Sequence, residues 1–185
     1  MPTIKPLTPS RWKDFEALFG PRGACAGCWC LWNRQTAAEF RANRGAKNKR
    51  HMRAIVRAGE VPGLLAYEGK RAVGWAALAP REAYRRLETS RVLKPVDGRS
   101  VWSVPCFFTA KEARGRGVTT ALLEAAAAYA AKKGATMLEG YPIDTRGKKA
   151  PAAFVWWGLL PAFTRAGFKE AVRRSRTRPI MRRAL

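Results

Sequence analysis

A mixed α/β fold is predicted by three features of the sequence. Segments of two-residue and 3.6-residue apolar periodicity alternate, a glycine-rich turn joins a strand to a long helix, and turn residues punctuate the junctions. The 185 residues suit one domain, expected to span 1–185. Hydrophobic residues make up 47% and aromatic residues 10% of the chain, enough for a packed core, which excludes wholesale disorder. The longest apolar runs, Ala72–Pro80 and Ala150–Phe163, are too short to cross a bilayer, and the opening MPTIKPLTPS lacks the apolar stretch of a secretory signal. A cytoplasmic protein with no membrane partner is the expectation.

The elements follow in order. Thr3–Leu7 alternates and reads as a strand. Thr8-Pro9 opens a helix, because threonine caps free amides and proline loses nothing in the first turn. Trp12, Phe15, Leu18 and Phe19 recur at helical spacing until Gly20-Pro21 stops them. The loop Arg22–Asn33 carries Cys25, Cys28 and Cys30 together with Trp29 and Trp32. These tryptophans either close one side of an acceptor site or fill core. Thr36-Ala-Ala-Glu39 is a capping box that opens a helix toward Ala58. Gly45 weakens its middle, so one helix or two shorter ones fit. Leu64–Tyr67 and Ala72–Ala79 read as a hairpin across Glu68-Gly69-Lys70-Arg71. Arg81–Lys94 is polar and reads as a helical excursion.

Val101–Phe108 is a further strand whose ladder Pro105 should interrupt. After Gly117, residues Val118, Leu122, Ala125 and Tyr129 share one helix face, which Lys132-Lys133-Gly134 ends. Ala135–Tyr141 is the next strand. Lys148–Ala166 reads as a tryptophan-rich helix interrupted at Pro161, and from Phe168 the chain reads as basic and extended.

The sharpest chemical signal is Arg114-Gly115-Arg116-Gly117-Val118-Thr119 between a strand and a helix. Glycines permit a tight turn, the amides of the helix start point outward together, and the helix dipole favours negative charge there. Arg114 and Arg116 add charge-assisted contacts to phosphate. The pattern lacks the Lys-Ser/Thr of a nucleotide P-loop and the full GxGxxG of a dinucleotide fold. The competing reading is a glycine turn that merely caps a helix.

This turn resembles the signature of the GNAT superfamily of N-acetyltransferases, Arg/Gln-x-x-Gly-x-Gly/Ala. Arg114 and Gly117 match its first two fixed positions, and Thr119 stands where the family prefers glycine or alanine. Arg165-Ala166-Gly167-Phe168 resembles the family's late Gly-Phe junction. The resemblance implies a central, mostly antiparallel sheet flanked by helices and splayed between its fourth and fifth strands, with acetyl-CoA as co-substrate in the gap. It also implies that Phe107, Phe108 and Thr109 line the pantetheine arm. The amides of Gly115, Arg116, Gly117, Val118, Thr119 and Thr120 would hold the pyrophosphate. An amide near Phe107 would stabilise the oxyanion as an unidentified primary amine attacks directly.

Glu139 and Tyr141 share one face of their strand by period two and are the candidate base and acid. The competing reading puts Glu139 in a salt bridge and Tyr141 in the core. The family's usual acid tyrosine has no counterpart here, since its position holds Phe163.

Lys and Arg number 36 against 13 Asp and Glu, a net charge of +23. Cations crowd one helix face, at Arg41, Arg44, Lys47, Lys49, Arg50, Arg53 and Arg57, with a second group in the C-terminal segment. Nucleic acid or another polyanion is a possible partner on these faces. The alternative to an enzyme is a GNAT-like module bound to RNA, DNA or the ribosome, although no stacking-aromatic pattern accompanies the arginines. His51 reads as a solvated surface residue. For Cys25, Cys28 and Cys30 a metal site, a redox pair and buried packing all stay open, with no metal expected. A monomer and a homodimer fit the sequence equally.

Overall fold

Local signals shape the first elements of the computed structural model, which describes residues 1–151 and 154–185. Strand β1 (Thr3–Pro6) leads through a 3-10 turn into helix α1 (Trp12–Phe19), which buries Trp12, Phe15 and Phe19. The capping box forms in both directions. Thr36 Oγ1 accepts the Glu39 amide at 3.3 Å, and the Thr36 amide donates to Glu39 Oε2 at 2.7 Å. It starts α2 (Ala37–Asn43), and the helix divides at Gly45 to give α3 (Ala46–Arg57). Strands β2 (Gly63–Glu68) and β3 (Arg71–Ala77) form the expected hairpin. A two-residue strand, β4 (Ala79–Pro80), and a short helix, α4 (Arg85–Thr89), follow.

The segment expected as one strand is split by proline. β5 (Trp102–Val104) and β6 (Phe107–Thr109) flank Pro105-Cys106 and belong to different sheets. Proline has no amide to give a ladder, so pairing must break there. β6 joins the antiparallel sheet β1-β2-β3-β6. β5 pairs parallel with β7 (Met137–Gly140) in the second sheet, whose order is β4-β5-β7-β9-β8. The remaining pairs of that sheet are antiparallel. The two sheets therefore part at Pro105, between β5, which pairs with β7, and β6, which pairs with β3.

Residues 155–160 enter the gap so opened. The Phe107 amide donates to the Trp156 carbonyl at 2.6 Å, the Ile143 amide to Gly158 at 2.9 Å, and the Leu160 amide to Ile143 at 3.0 Å. The helix expected over Lys148–Ala166 is thereby corrected. Among the described residues, only α6 (Leu160–Arg165) is helical there apart from a turn at Phe154, because Pro151 and Gly158 break the pattern. Pro161 falls in the first turn of α6, where a missing amide costs nothing. Ala152 and Ala153 of that expected helix lie outside the described residues. The C-terminal extended run is a hairpin, β8 (Lys169–Arg173) with β9 (Pro179–Ala184).

Helix α5 (Val118–Lys132) packs on one face of the sheets, burying Leu122, Leu123, Ala126 and Ala130 with Phe163 of α6. The opposite face is covered by α1 and α3, around Phe15, Met52 and Trp75. A third cluster, with Tyr84, Leu87, Tyr141 and Ile180, lies under residues 81–97. Gly140 is a close-packing position: a Cβ there would stand 2.1 Å from Phe163 Cε1. Gly140→Ala is expected to cost about 1–3 kcal/mol through overpacking, read as a lower denaturant midpoint at unchanged slope.

Candidate active site

The glycine turn lies at the end of β6, where Arg114 Nε donates to the Thr109 carbonyl at 3.2 Å. Gly117 is the N-cap of α5 and adopts φ 79°, a left-handed conformation that side-chain-bearing residues pay about 1–2 kcal/mol to enter. The first helical bond runs from the Ala121 amide to the Gly117 carbonyl at 3.1 Å. The amides of Val118, Thr119 and Thr120 therefore have no intrahelical acceptor, and no side chain caps them. Thr120 Oγ1 is buried without a hydrogen-bond partner. Free donors, an orphaned hydroxyl and the positive end of a 15-residue helix fit a phosphate group.

This turn opens on a cleft of about 850 Å³. Phe107, Phe108 and Thr109 form one wall, and Val155, Trp156 and Gly158 face them. Arg114, Gly115, Gly117, Val118, Thr119 and Thr120 line its turn end. Of the residues expected around a cofactor, Arg116 alone is absent from the lining. Its guanidinium pairs with Glu68 at 3.2 Å. Lys148, Lys149 and Arg165 also line the cleft, and sequence reasoning passed over all three. Arg165 was within the Gly-Phe motif, but the lysines had only their charge to mark them. The Phe107 amide, expected to face the reacting carbonyl, is held by Trp156.

Glu139 and Tyr141 stand together as their spacing predicts, yet neither lines the cleft. Both are 0% exposed. Arg81 Nη1 donates to Glu139 Oε1 at 2.8 Å and to Tyr141 Oη at 2.7 Å. The Tyr141 hydroxyl donates to Glu139 Oε1 at 2.7 Å, and Arg182 Nε to Glu139 Oε2 at 2.7 Å. Arg81 Nη2 also reaches the Leu87 and Leu93 carbonyls, so the cluster ties residues 81–97 to the second sheet. Burial, and then the Glu139 charge, push the Tyr141 phenol well above its ordinary range, keeping it a neutral donor. Arg182 extends the network to Asp97, whose carboxyl its hydrogen bonds hold below the ordinary value of 3.8. A depressed carboxylate stabilises the fold above its unfolded pKa, and that stability is lost as pH falls through the folded value.

Ala24 and Cys25 reach the cleft from the cysteine loop, on the α1 and α3 side. All four cysteines are free thiols. Cys25 is exposed, whereas burial pushes the Cys28 thiol up to about 11. Cys30 is buried and its sulfur accepts from Trp75 Nε1 at 3.0 Å. Among the described residues no three His, Cys, Asp or Glu converge in a way that could hold a metal ion. Trp29 fills core, while Trp32 stays partly exposed under Arg86, whose guanidinium lies 3.7 Å from its ring centre. His51 is exposed, with Gln35 Nε2 3.4 Å from its Nδ1.

A family model described as acetyltransferase (GNAT) family matches residues 25–146. No curated protein matches the chain in sequence. Among solved structures, a GNAT family acetyltransferase from Listeria monocytogenes is similar with TM-score 0.59 at 8% identity, covering 100% of this chain and 95% of that one. An agmatine N-acetyltransferase gives TM-score 0.58 at 12% identity, covering 100% and 99%. The GNAT domain of S. lividans PAT gives 0.53 at 15%, covering 100% and 90%. At such identities these structures establish the fold alone. No helix among the described residues is long and apolar enough to cross a membrane.

Two outcomes follow from this geometry. Glu139→Gln leaves the buried Arg81 and the half-buried Arg182 underpaired and is expected to lower unfolding stability by about 3 kcal/mol, measured by denaturant titration. Brief iodoacetamide treatment at pH 8 is expected to modify Cys25 well ahead of Cys28, because thiolates are the reactive form. Peptide mass mapping showing equal rates would contradict the part-buried position of Cys28.

Proposed function

The chain belongs to the acetyltransferase (GNAT) family, and from that premise we propose that it moves an acetyl or other short acyl group from acetyl-CoA to a primary amine. Attack is direct, and residues 1–185 act as a single domain. The observation that carries this reading is the uncapped start of α5, with its orphaned Thr120 hydroxyl, opening on a cleft that holds four cations: Arg114, Lys148, Lys149 and Arg165.

Each group has a task in this reading. The amides of Val118, Thr119 and Thr120 take the pyrophosphate, joined by Arg114. Lys148, Lys149 and Arg165 meet the remaining phosphate charge, which they attract as mobile point charges or forks. Phe107, Phe108 and Thr109 line the arm that carries the thioester. When bound, acetyl-CoA supplies an activated acyl group whose thiol, with a pKa of about 8.5 by analogy with cysteine, leaves without an enzyme acid. The Phe107 amide reaches a developing oxyanion only after giving up Trp156. Glu139 and Tyr141 we assign to holding β7 within the second sheet, not to proton transfer.

The basic-module alternative keeps one feature in its favour: α3 exposes Lys47, Arg50, Arg53 and Arg57 and contains no acidic residue. It requires polyanion binding that persists at physiological salt.

Isothermal calorimetry is expected to show acetyl-CoA binding in the micromolar range. Gly117→Val should weaken it at least tenfold, through strain at φ 79° and a side chain crowding the phosphate. Folded protein giving no heat with either acetyl-CoA or CoA would end the enzyme reading.

A further inference from the structure

We infer that Cys30 and Cys106 are a peroxide-reactive thiol pair, which hydrogen peroxide or another small hydroperoxide converts into a disulfide tying the cysteine loop to the point where the two sheets part. Neither residue lines the cleft assigned to acetyl-CoA, and the inference does not depend on the acyltransferase reading.

The fold brings the two sulfurs together from distant parts of the chain. Cys30 lies in the loop after α1 at φ 60°, directly behind Trp29 at φ 44°, a left-handed region that side-chain-bearing residues rarely enter. Cys106 follows Pro105 between β5 and β6, and its carbonyl accepts the Ala77 amide at 2.9 Å. Both pack in the cluster around Trp75, and their thiols share a hydrogen bond. Cys30 is 5% exposed and Cys106 is part-buried.

The two thiols are unequal. Cys30 Sγ accepts from Trp75 Nε1 at 3.0 Å, a bond that favours the thiolate. The Cys106 hydrogen bond, joined by that of Trp75 and the charge of Arg34, holds the Cys30 thiol below its ordinary value against burial. The same bond between the thiols, and then burial, push Cys106 well above its own. Cys30 is therefore the nucleophile and Cys106 the protonated thiol that resolves it. Cys28 is held apart: its Sγ donates to the Gly23 carbonyl at 3.5 Å, and burial raises it to about 11.

Two buried polar atoms beside the pair have no partner. One is Tyr84 Oη, in a residue 1% exposed. Burial, and to a smaller degree charge on both sulfurs, push its phenol up, so it stays a neutral donor. The other is Asn33 Oδ1, whose Nδ2 donates to the Pro105 carbonyl at 3.3 Å. An open donor and an open acceptor beside a thiolate suit a hydroperoxide, which offers both.

In the first step the Cys30 thiolate attacks one peroxide oxygen, the O–O bond breaks, and hydroxide leaves and takes a proton from solvent. Cys30 is then a sulfenic acid. The Cys106 sulfur attacks the sulfenic sulfur, the S–O bond breaks, and water leaves with the Cys106 proton. One hydrogen peroxide is reduced to two waters as two thiols are oxidised to one disulfide.

The test treats the full, pre-reduced chain with equimolar hydrogen peroxide at pH 7, blocks the remaining thiols with iodoacetamide and maps peptides without reduction. A peptide linked through Cys30 and Cys106 is expected as the main product, with an intact mass lower by about 2 Da before blocking and reversal by dithiothreitol. Oxidised glutathione at the same concentration should form that link roughly tenfold more slowly, because it is too large to reach a buried sulfur. In Cys106→Ala, with its far-UV circular dichroism unchanged, excess peroxide should carry Cys30 on to sulfinic acid, read as two added oxygens on its peptide. A Cys25–Cys28 or intermolecular disulfide as the main product would overturn the inference. So would an equal rate with oxidised glutathione, or a folded Cys106→Ala whose Cys30 gains no oxygen. The mapping of the unmutated chain decides the matter even where the variant fails to fold.

Discussion

The missing amide of Pro105 is the constraint on which the rest of the architecture depends. A continuous strand over 101–108 would have held β3 and β7 in one unbroken ladder. Without that donor, β5 stays with β7 while β6 stays with β3, and the two sheets part. The parting creates the cleft, leaves the Phe107 amide to pair with Trp156 and carries the chain to the glycine turn. The start of α5 is thus aimed at a gap that the same strand break opens. A phosphate-binding helix terminus elsewhere on the fold would have no groove for the remainder of a long cofactor.

The second support is ionic. Burying Arg81 and Glu139 costs several kcal/mol of desolvation for each charge, so their pairing specifies structure more than it adds stability. It joins residues 81–97, β5 through Ser103, β7 and β9 around one carboxylate. The second sheet is held together by this cluster, although none of its strands lines the cleft. Each oxygen of that carboxylate is engaged by an arginine.

Charge is divided among several roles. Arg81, Arg173 and Arg182 serve internal pairs, Arg114, Lys148, Lys149 and Arg165 line the cleft, and α3 presents a cationic face to solvent. The net +23 is therefore no single signal. The cleft group agrees with a polyphosphate ligand.

What the sequence determined by itself was local. The Thr36–Glu39 box, the hairpin at Gly69, the break at Pro105 and the turn at Gly117 each depend on backbone chemistry within a few residues. So do the α/β order and nine of the cleft residues, which follow from one motif and its neighbouring strand. The tertiary structure decided what depends on distant partners. Glu139 and Tyr141 were placed on one face correctly, but Arg81 and Arg182 lie 58 and 43 residues away from Glu139 in the chain, and only folding shows that they claim it. Arg116 turns to Glu68 for the same reason. Residues 155–159 follow no helical period because their backbone partners are Phe107 and Ile143 across the gap. Local periodicity records which face is apolar; it carries no record of which charge or carbonyl will arrive from another sheet.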